Sequence, residues 1–167
     1  RAAELGMHNT HFENATGLDD DTTKHLTSAY DIAIMSRELL KHPVITRYST
    51  IWMDTIRDGS FGLTNTNRLV RFYRGCNGLK TGSTQKAGFC VSVTAEREGM
   101  TLICVIMGAE SRDSRNAAAK ALLDWGFATY SIKEIIHANE EIGKIKIKGG
   151  TQKEVGIELR SPETILI

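Results

Sequence analysis

Residues 77–84 read Asn77-Gly78-Leu79-Lys80-Thr81-Gly82-Ser83-Thr84, placing a lysine, a hydroxyl and a glycine in a row where a strand should run. On extended backbone successive side chains point to opposite faces, so Lys80 and Gly82 share one face and Thr81 and Ser83 the other. Glycine leaves its face bare, and a second chain can approach the backbone closely there. Two apolar runs follow, 87–96 and 100–107, joined by Arg97-Glu98-Gly99, which predicts an antiparallel hairpin. Both runs are apolar on both faces. Strands of that kind need helices above and below, so the expected fold is a layered α/β domain around a central antiparallel sheet.

Working outward, Ser28-Ala29-Tyr30-Asp31 has the form of a capping box, and Ala29, Ile32, Ala33, Ser36, Leu39 and Leu40 recur at helical spacing. Lys41-His42-Pro43 closes that helix. From Tyr48 to Arg57 the β-branched and aromatic content, followed by Asp58-Gly59, predicts a strand running into a turn. A second helix is expected over 113–130, burying a stripe of Ala117, Ala121, Leu122 and Trp125 while Arg115, Lys120 and Asp124 face out. Residues 6–20, punctuated by glycine and asparagine, read as an irregular loop. After Ser131 the texture becomes an alternation of lysines with Ile142, Ile145, Ile147, Val155, Ile157 and Leu159, interrupted by Gly149-Gly150. The expected domains are therefore 1–130, and 131–167 as strands of a small all-β module.

Composition narrows the function. The 167 residues are 41% apolar and 25% charged, with 21 Lys and Arg against 20 Asp and Glu for a net charge of +1. No run of five like charges occurs and aromatics never interleave with basic clusters, so nucleic acid is not an expected partner. Cys76, Cys90 and Cys104 form an odd set without C-x-x-C, against a disulfide framework or zinc knuckle. His8 and His11 lack a third ligand, and Asp19-Asp20-Asp21 stands before a helix whose positive end acids favour. No metal or cofactor is expected.

Catalytic motifs are few. Lys80-Thr81-Gly82 is one of three signatures of serine enzymes that bind penicillin, the others being S-x-x-K and S-x-N. Ser83-Thr84-Gln85-Lys86 matches S-x-x-K literally, but extended backbone sends residues three apart to opposite faces, and the match overlaps the strand it should oppose. Ser114-Arg115-Asn116 matches S-x-N, yet a serine ahead of an alanine-rich helix is a natural cap. A G-x-S-x-G elbow, a Walker loop, G-x-G-x-x-G and H-E-x-x-H are all missing.

Several ordered segments carry a wider resemblance: residues 4–12, Thr16-Gly17-Leu18, Asn65-Thr66-Asn67, 77–84, Ala87-Gly88-Phe89-Cys90, Val105-Ile106-Met107-Gly108 and Leu122-Leu123-Asp124-Trp125-Gly126-Phe127. Together they resemble the low-molecular-mass penicillin-binding proteins, and more narrowly the serine-type D-alanyl-D-alanine carboxypeptidases. That resemblance implies a penicillin-binding/β-lactamase-like α/β domain incomplete at its amino terminus, followed by part of a carboxy-terminal β domain. It implies an enzyme that removes the terminal D-alanine from peptidoglycan stem peptides through an acyl-serine intermediate, on the cell-wall side of the cytoplasmic membrane, and that β-lactams acylate. Position by position, Lys80 would tune the base and help bind substrate, and the Ser83 backbone N–H would form half of the oxyanion hole. Thr81, Gly82 and Thr84 would line the substrate, and Arg115 would hold its terminal carboxylate.

The family places S-x-x-K and S-x-N upstream of the segment matching Glu4-Leu5-Gly6-Met7, so the chain is expected to begin after both. Two alternatives stand beside the enzyme: a non-catalytic peptidoglycan-binding scaffold and a class A type β-lactamase relative. Exposed sheet edges would favour self-association. The chain by itself is expected to form no acyl-enzyme. Incubation with a reporter penicillin should leave it unlabelled, and stoichiometric labelling at Ser83 would overturn that expectation.

Overall fold

The computed structural model describes residues 1–19 and 21–167, which fall into two compact units, Arg1–Phe127 and Ala128–Ile167. In the first unit a short 3₁₀ turn (Ala3–Leu5) is followed by α1 (Ala29–Leu39), α2 (Pro43–Ser49), β1 (Met53–Ile56), β2 (Phe61–Thr64) and α3 (Leu69–Phe72). Then come β3 (Cys76–Thr84), β4 (Gly88–Arg97), β5 (Met100–Ala109) and α4 (Arg112–Thr129). Strands β3, β4 and β5 form one antiparallel sheet in that order, and β1 pairs with β2 as a separate hairpin.

The central hairpin falls where its β-branched runs predict. Along β4, Val91, Val93 and Ala95 meet Leu69, Tyr73, Cys76, Cys104 and, from α4, Ala119 and Leu123 in a continuous core. Burying one such Val or Leu fully is worth about 1.5–3 kcal/mol, and α4 is held to that face of the sheet by this apolar contact. Side chains between them point the other way, where Ser92 Oγ lies 2.7 Å from Ser36 Oγ of α1. The sheet therefore carries a helix on each face, as its two-sided apolar pattern requires.

Helix α1 starts as its capping box predicts: the Ser28 hydroxyl accepts the Asp31 N–H at 3.1 Å. Asp31 is buried and also accepts from the Asn9 N–H (2.8 Å) and the Thr10 hydroxyl (2.7 Å), tying the loop before it to the first turn. These donors, with the Thr10 hydroxyl foremost, hold its carboxyl below the usual range.

Two expectations are corrected. The strand expected over Tyr48–Arg57 starts only at Met53, because Pro43 both ends α1 and serves as first residue of α2, which extends to Ser49. The stripe expected on α4 is rotated: the buried positions are Arg115, Ala119, Leu123 and Gly126, while Leu122 and Trp125 are 52% and 59% exposed. Small residues take the inner face where side chains of the sheet reach up to the helix. A Cβ at Gly126 would stand 2.6 Å from Leu102 Cδ1. The cap of α4 is Ser111, whose hydroxyl accepts the Ser114 N–H (3.0 Å) while the Ser114 hydroxyl accepts the Ser111 N–H (3.1 Å), a reciprocal box from inside the first turn.

The second unit holds β6 (Ile132–Ile136) paired with β9 (Glu163–Leu166), and β7 (Glu141–Lys146) paired with β8 (Glu154–Glu158), both antiparallel. No helix among the described residues is long and apolar enough to cross a membrane.

At the far end of the sheet from the Lys-Thr-Gly segment, Tyr73 donates to Asp124 Oδ1 at 2.9 Å, and the Arg97 guanidinium lies 4.6 Å from the Tyr73 ring centre and 4.4 Å from that of Phe127. Burial, reinforced by the bond to Asp124, pushes the Tyr73 phenol up to about 12. A raised phenol pKa favours the neutral, protonated form in the folded state. Its contribution to stability is therefore complete below the unfolded value near 10 and is lost as pH rises toward about 12. Tyr73→Phe should remove a tyrosinate absorbance step near 12 and flatten the alkaline fall in chemical-denaturation stability. An unchanged alkaline limb in the variant would overturn this assignment.

Candidate functional site

The site begins with an unpaired edge. β3 pairs with β4 along Cys76↔Ala95 to Thr84↔Gly88 and, among the described residues, has no strand on its other side. Its outer flank is bracketed by side chains instead. Ser49 Oγ donates to Asn77 O (2.5 Å) and Asn67 Nδ2 to Gly78 O (3.0 Å). Ser49 comes so near that a Cβ on Gly78, at φ 152°, would stand 2.6 Å from its oxygen. Midway, Thr66 Oγ1 and Thr81 Oγ1 share a 2.7 Å bond. At the end, the Thr84 hydroxyl donates to Asp19 Oδ2 at 2.5 Å.

The run Asn65-Thr66-Asn67 builds this bracket. Asn65 Nδ2 donates to the carbonyls of Ser49 (3.1 Å) and Ile51 (2.9 Å), while its oxygen accepts the Asn67 N–H (2.9 Å). Asn67 is fully buried, and its oxygen accepts the Leu69 N–H at 3.2 Å. Among the described residues no buried side-chain nitrogen or oxygen lacks a partner.

Beside this edge opens a cleft of about 410 Å³, walled by Lys80-Thr81-Gly82-Ser83 on one side and by Trp52 and residues 64–66 on another. The first turn of α4 completes it with Arg112, Arg115 and Asn116, and Arg68 stands at its rim. Among the described residues, four cations and no carboxylate line it. Lys80 is exposed and its Nζ donates to Thr81 O at 2.5 Å. Thr81 is buried, and Gly82 and Ser83 are exposed along the edge.

Arg115 is the second correction on α4. Expected to face solvent when read as a first-turn residue, it is 3% exposed. Its Nη1 donates to Cys90 O (3.3 Å), and Nε and Nη2 donate to Asn116 Oδ1 (3.1 and 3.0 Å). Burial, with the neighbouring Arg112 charge adding to it, holds the guanidinium below its ordinary value. Among the described residues Arg115 has no carboxylate partner. A buried cation normally has one, since desolvating an unpaired charge is costly. Three of the five guanidinium N–H groups are committed to these neutral oxygens, which leaves one on Nη1 and one on Nη2, a pair whose chemistry suits an anion, in a cleft beside a strand edge that can pair with an extended peptide.

The structure thus gathers Lys80, Thr81, Gly82, Ser83 and Arg115 around one cleft. Thr84, expected to line the substrate, is not in the lining of this cleft: it is half-buried at the end of β3 with its hydroxyl engaged by Asp19. Lys86 of the literal S-x-x-K match lies in the turn beyond, donating to Asp19 O at 2.6 Å. Ser114 of the S-x-N match is consumed in the helix cap. Trp52, Thr66, Asn67 and Arg112 were not singled out individually by motif; only the polar triplet 65–67 offered a signal. No group of three metal-ligating side chains occurs among the described residues, and Asp20 lies outside them.

A layered sheet whose edge strand carries Lys-Thr-Gly is the fold of penicillin-binding peptidases. Penicillin-binding protein 5 from Haemophilus influenzae superposes with a TM-score of 0.75 at 28% identity, over 99% of this chain and 48% of its own. A peptidoglycan synthesis regulatory factor (PBP3) from Streptococcus pneumoniae gives 0.85 at 26%, over 99% and 52%. Penicillin-binding protein D2 from Listeria monocytogenes, in its cefotaxime-bound form, gives 0.70 at 33%, over 75% and 51%. The profile of the D-alanyl-D-alanine carboxypeptidases, peptidase family S11, matches residues 1–111, and the chain belongs to that family. D-alanyl-D-alanine carboxypeptidase DacF of Bacillus subtilis is 40% identical over 169 aligned positions, 99% of this chain and 43% of the relative. DacD of Escherichia coli is 30% identical over 93% and 40%. The chain spans less than half the length of these curated relatives.

Because Arg115 is a buried cation without a carboxylate, removing its charge should not weaken the fold. Arg115→Met is expected to leave the melting temperature unchanged or raise it. A fall of several degrees would show instead that the bonds to Cys90 and Asn116 are structural.

Proposed function

We propose that this chain supplies one wall of the active-site cleft of a serine D-alanyl-D-alanine carboxypeptidase. The observation that carries the reading is the buried Arg115, without a carboxylate partner among the described residues, lining the same cleft as the Lys80-Thr81-Gly82 strand edge. A stem peptide ending in D-Ala-D-Ala would lie along β3 as an added strand, with Gly82 allowing close approach. Its terminal carboxylate would meet the Arg115 fork, with the neighbouring Arg112 charge adding to the attraction.

The other residues of the cleft strand have roles in the same reading. Thr81, held by Thr66, would meet the carboxylate end of the substrate. Ser83 would present its backbone N–H to the oxyanion that forms as a serine of the parent protein attacks the scissile carbonyl. The peptide C–N bond then breaks, D-alanine leaves as the amine with the proton from that serine, and water hydrolyses the acyl-serine. Lys80, a cation at the cleft, would lower the proton affinity of the base that serves this serine. Nucleophile and base belong to S-x-x-K and S-x-N segments of the parent, since the literal matches in these 167 residues are occupied elsewhere. Residues 1–130 would belong to the catalytic domain and 131–167 to a carboxy-terminal β domain. The parent would work on the cell-wall side of the cytoplasmic membrane, and β-lactams would acylate the same serine.

In the full-length parent, Arg115→Ala should lower kcat/KM on a peptide ending in D-Ala-D-Ala by roughly 10- to 100-fold, the worth of one or two charged hydrogen bonds. A peptide ending in a carboxamide should be a poor substrate of the unaltered enzyme and lose almost nothing further in the variant. Equal losses on both peptides would overturn the carboxylate assignment.

A further inference from the structure

The carboxy-terminal end of β3 is held by a loop, and that loop is preorganised from within. His11 and Leu26 close its base with reciprocal backbone bonds of 2.8 and 2.9 Å. The Glu13 carboxylate accepts the N–H groups of Lys24 (2.7 Å) and Thr23 (3.1 Å). Asn14 spans the tip, accepting from the Gly17 N–H (2.8 Å) and donating to Leu18 O (2.7 Å). Below the base, the Thr10 hydroxyl bonds to Asp31 of α1, so the loop is fixed to a helix on one face of the sheet.

From this frame Asp19 reaches the β3–β4 turn twice. Its Oδ2 accepts the Thr84 hydroxyl at 2.5 Å, and its backbone carbonyl accepts Lys86 Nζ at 2.6 Å. A threonine hydroxyl has one proton and two lone pairs. With the proton committed to Asp19, Thr84 Oγ1 accepts the Ala87 N–H at 2.9 Å, so the rotor has a single setting and the turn a single shape. Among the described residues, no side chain from outside the β3–β4 hairpin other than that of Asp19 bonds to residues 82–87.

Thr84 directly follows Ser83, whose N–H must point at the developing oxyanion rather than at the resting carbonyl, a matter of tenths of an ångström. We propose that Asp19 is a positioning residue for acyl transfer: through the Thr84 hydroxyl its carboxylate sets the aim of the Ser83 N–H. The inference rests on the functional reading above. Asp19 touches neither substrate nor reacting atoms in it, and acts through the strand end it clamps. The charge-assisted bond is the effective link, since a carboxylate accepts a hydroxyl proton more strongly than a neutral oxygen.

The test uses the full-length parent. Asp19→Ala should lower kcat on a D-Ala-D-Ala peptide and the acylation rate with a reporter penicillin by about tenfold, a fraction of the loss from deleting an oxyanion donor outright. KM should not change, because the carboxylate fork is untouched. Thr84→Val should give the same loss, the double variant should be no worse than either single one, and Thr84→Ser should restore the rate. Should Asp19→Ala not fold, Thr84→Val and Thr84→Ser carry the comparison alone. Variants that melt earlier but keep kcat, or losses that add in the double variant, overturn the proposal while leaving the carboxypeptidase reading intact. An unaltered parent that neither hydrolyses the peptide nor takes the penicillin label overturns both.

Discussion

Strand β3 has a ladder partner on one side only, and much of the first unit follows from how the other side is managed. Backbone N–H and C=O groups along an open edge must find partners, meet water, or be kept for a guest. Here the ends of the strand are secured by short polar side chains from three separate segments: Ser49 from α2, Asn67 from the polar triplet, and Asp19 from the amino-terminal loop. Between them Lys80, Gly82 and Ser83 are exposed, while Thr81 is buried against Thr66. An edge protected at both ends and open in the middle can receive a short extended peptide of defined register without offering itself as a continuous template for aggregation.

Charge at the cleft obeys the same division between what is satisfied internally and what is left over. Some cations of the first unit meet acids or rings: Lys120 reaches Asp124, and Arg97 lies against two aromatic faces. Arg115 instead donates only to neutral oxygens, which fix its geometry without cancelling its charge. The fold thus holds a positive centre of fixed orientation in a partly desolvated position, where a charge is felt more strongly than it would be in water.

Those parts of the fold governed by local pattern were legible in the sequence. The β4–β5 hairpin follows from β-branched runs around Glu98-Gly99, and α1 from Ser28 and the 3.6-residue spacing behind it. The Lys-Thr-Gly strand announced one wall of the site. What stayed hidden depends on contacts distant in sequence. Counting large apolar residues selected Leu122 and Trp125 for the inner face of α4, whereas close packing selected Ala119 and Gly126 and drew Arg115 inward with them. Pro43 read as a stop and proved also to be a start. The bracket along β3 joins residues 11 to 65 positions apart, and no periodicity records such pairings.

Gly126 and Arg115 lie eleven positions apart on α4, about three full turns, and so project from nearly the same side. The absent side chain at Gly126 leaves room for Leu102 of β5, whose Cδ1 would stand 2.6 Å from a Cβ there. A helix is stiff over that length, so its standoff at one end is transmitted as leverage to the other. The guanidinium in the cleft and the leucine side chain lodged against Gly126 are thus joined by some 16 Å of one rigid rod, at about 1.5 Å of rise per residue.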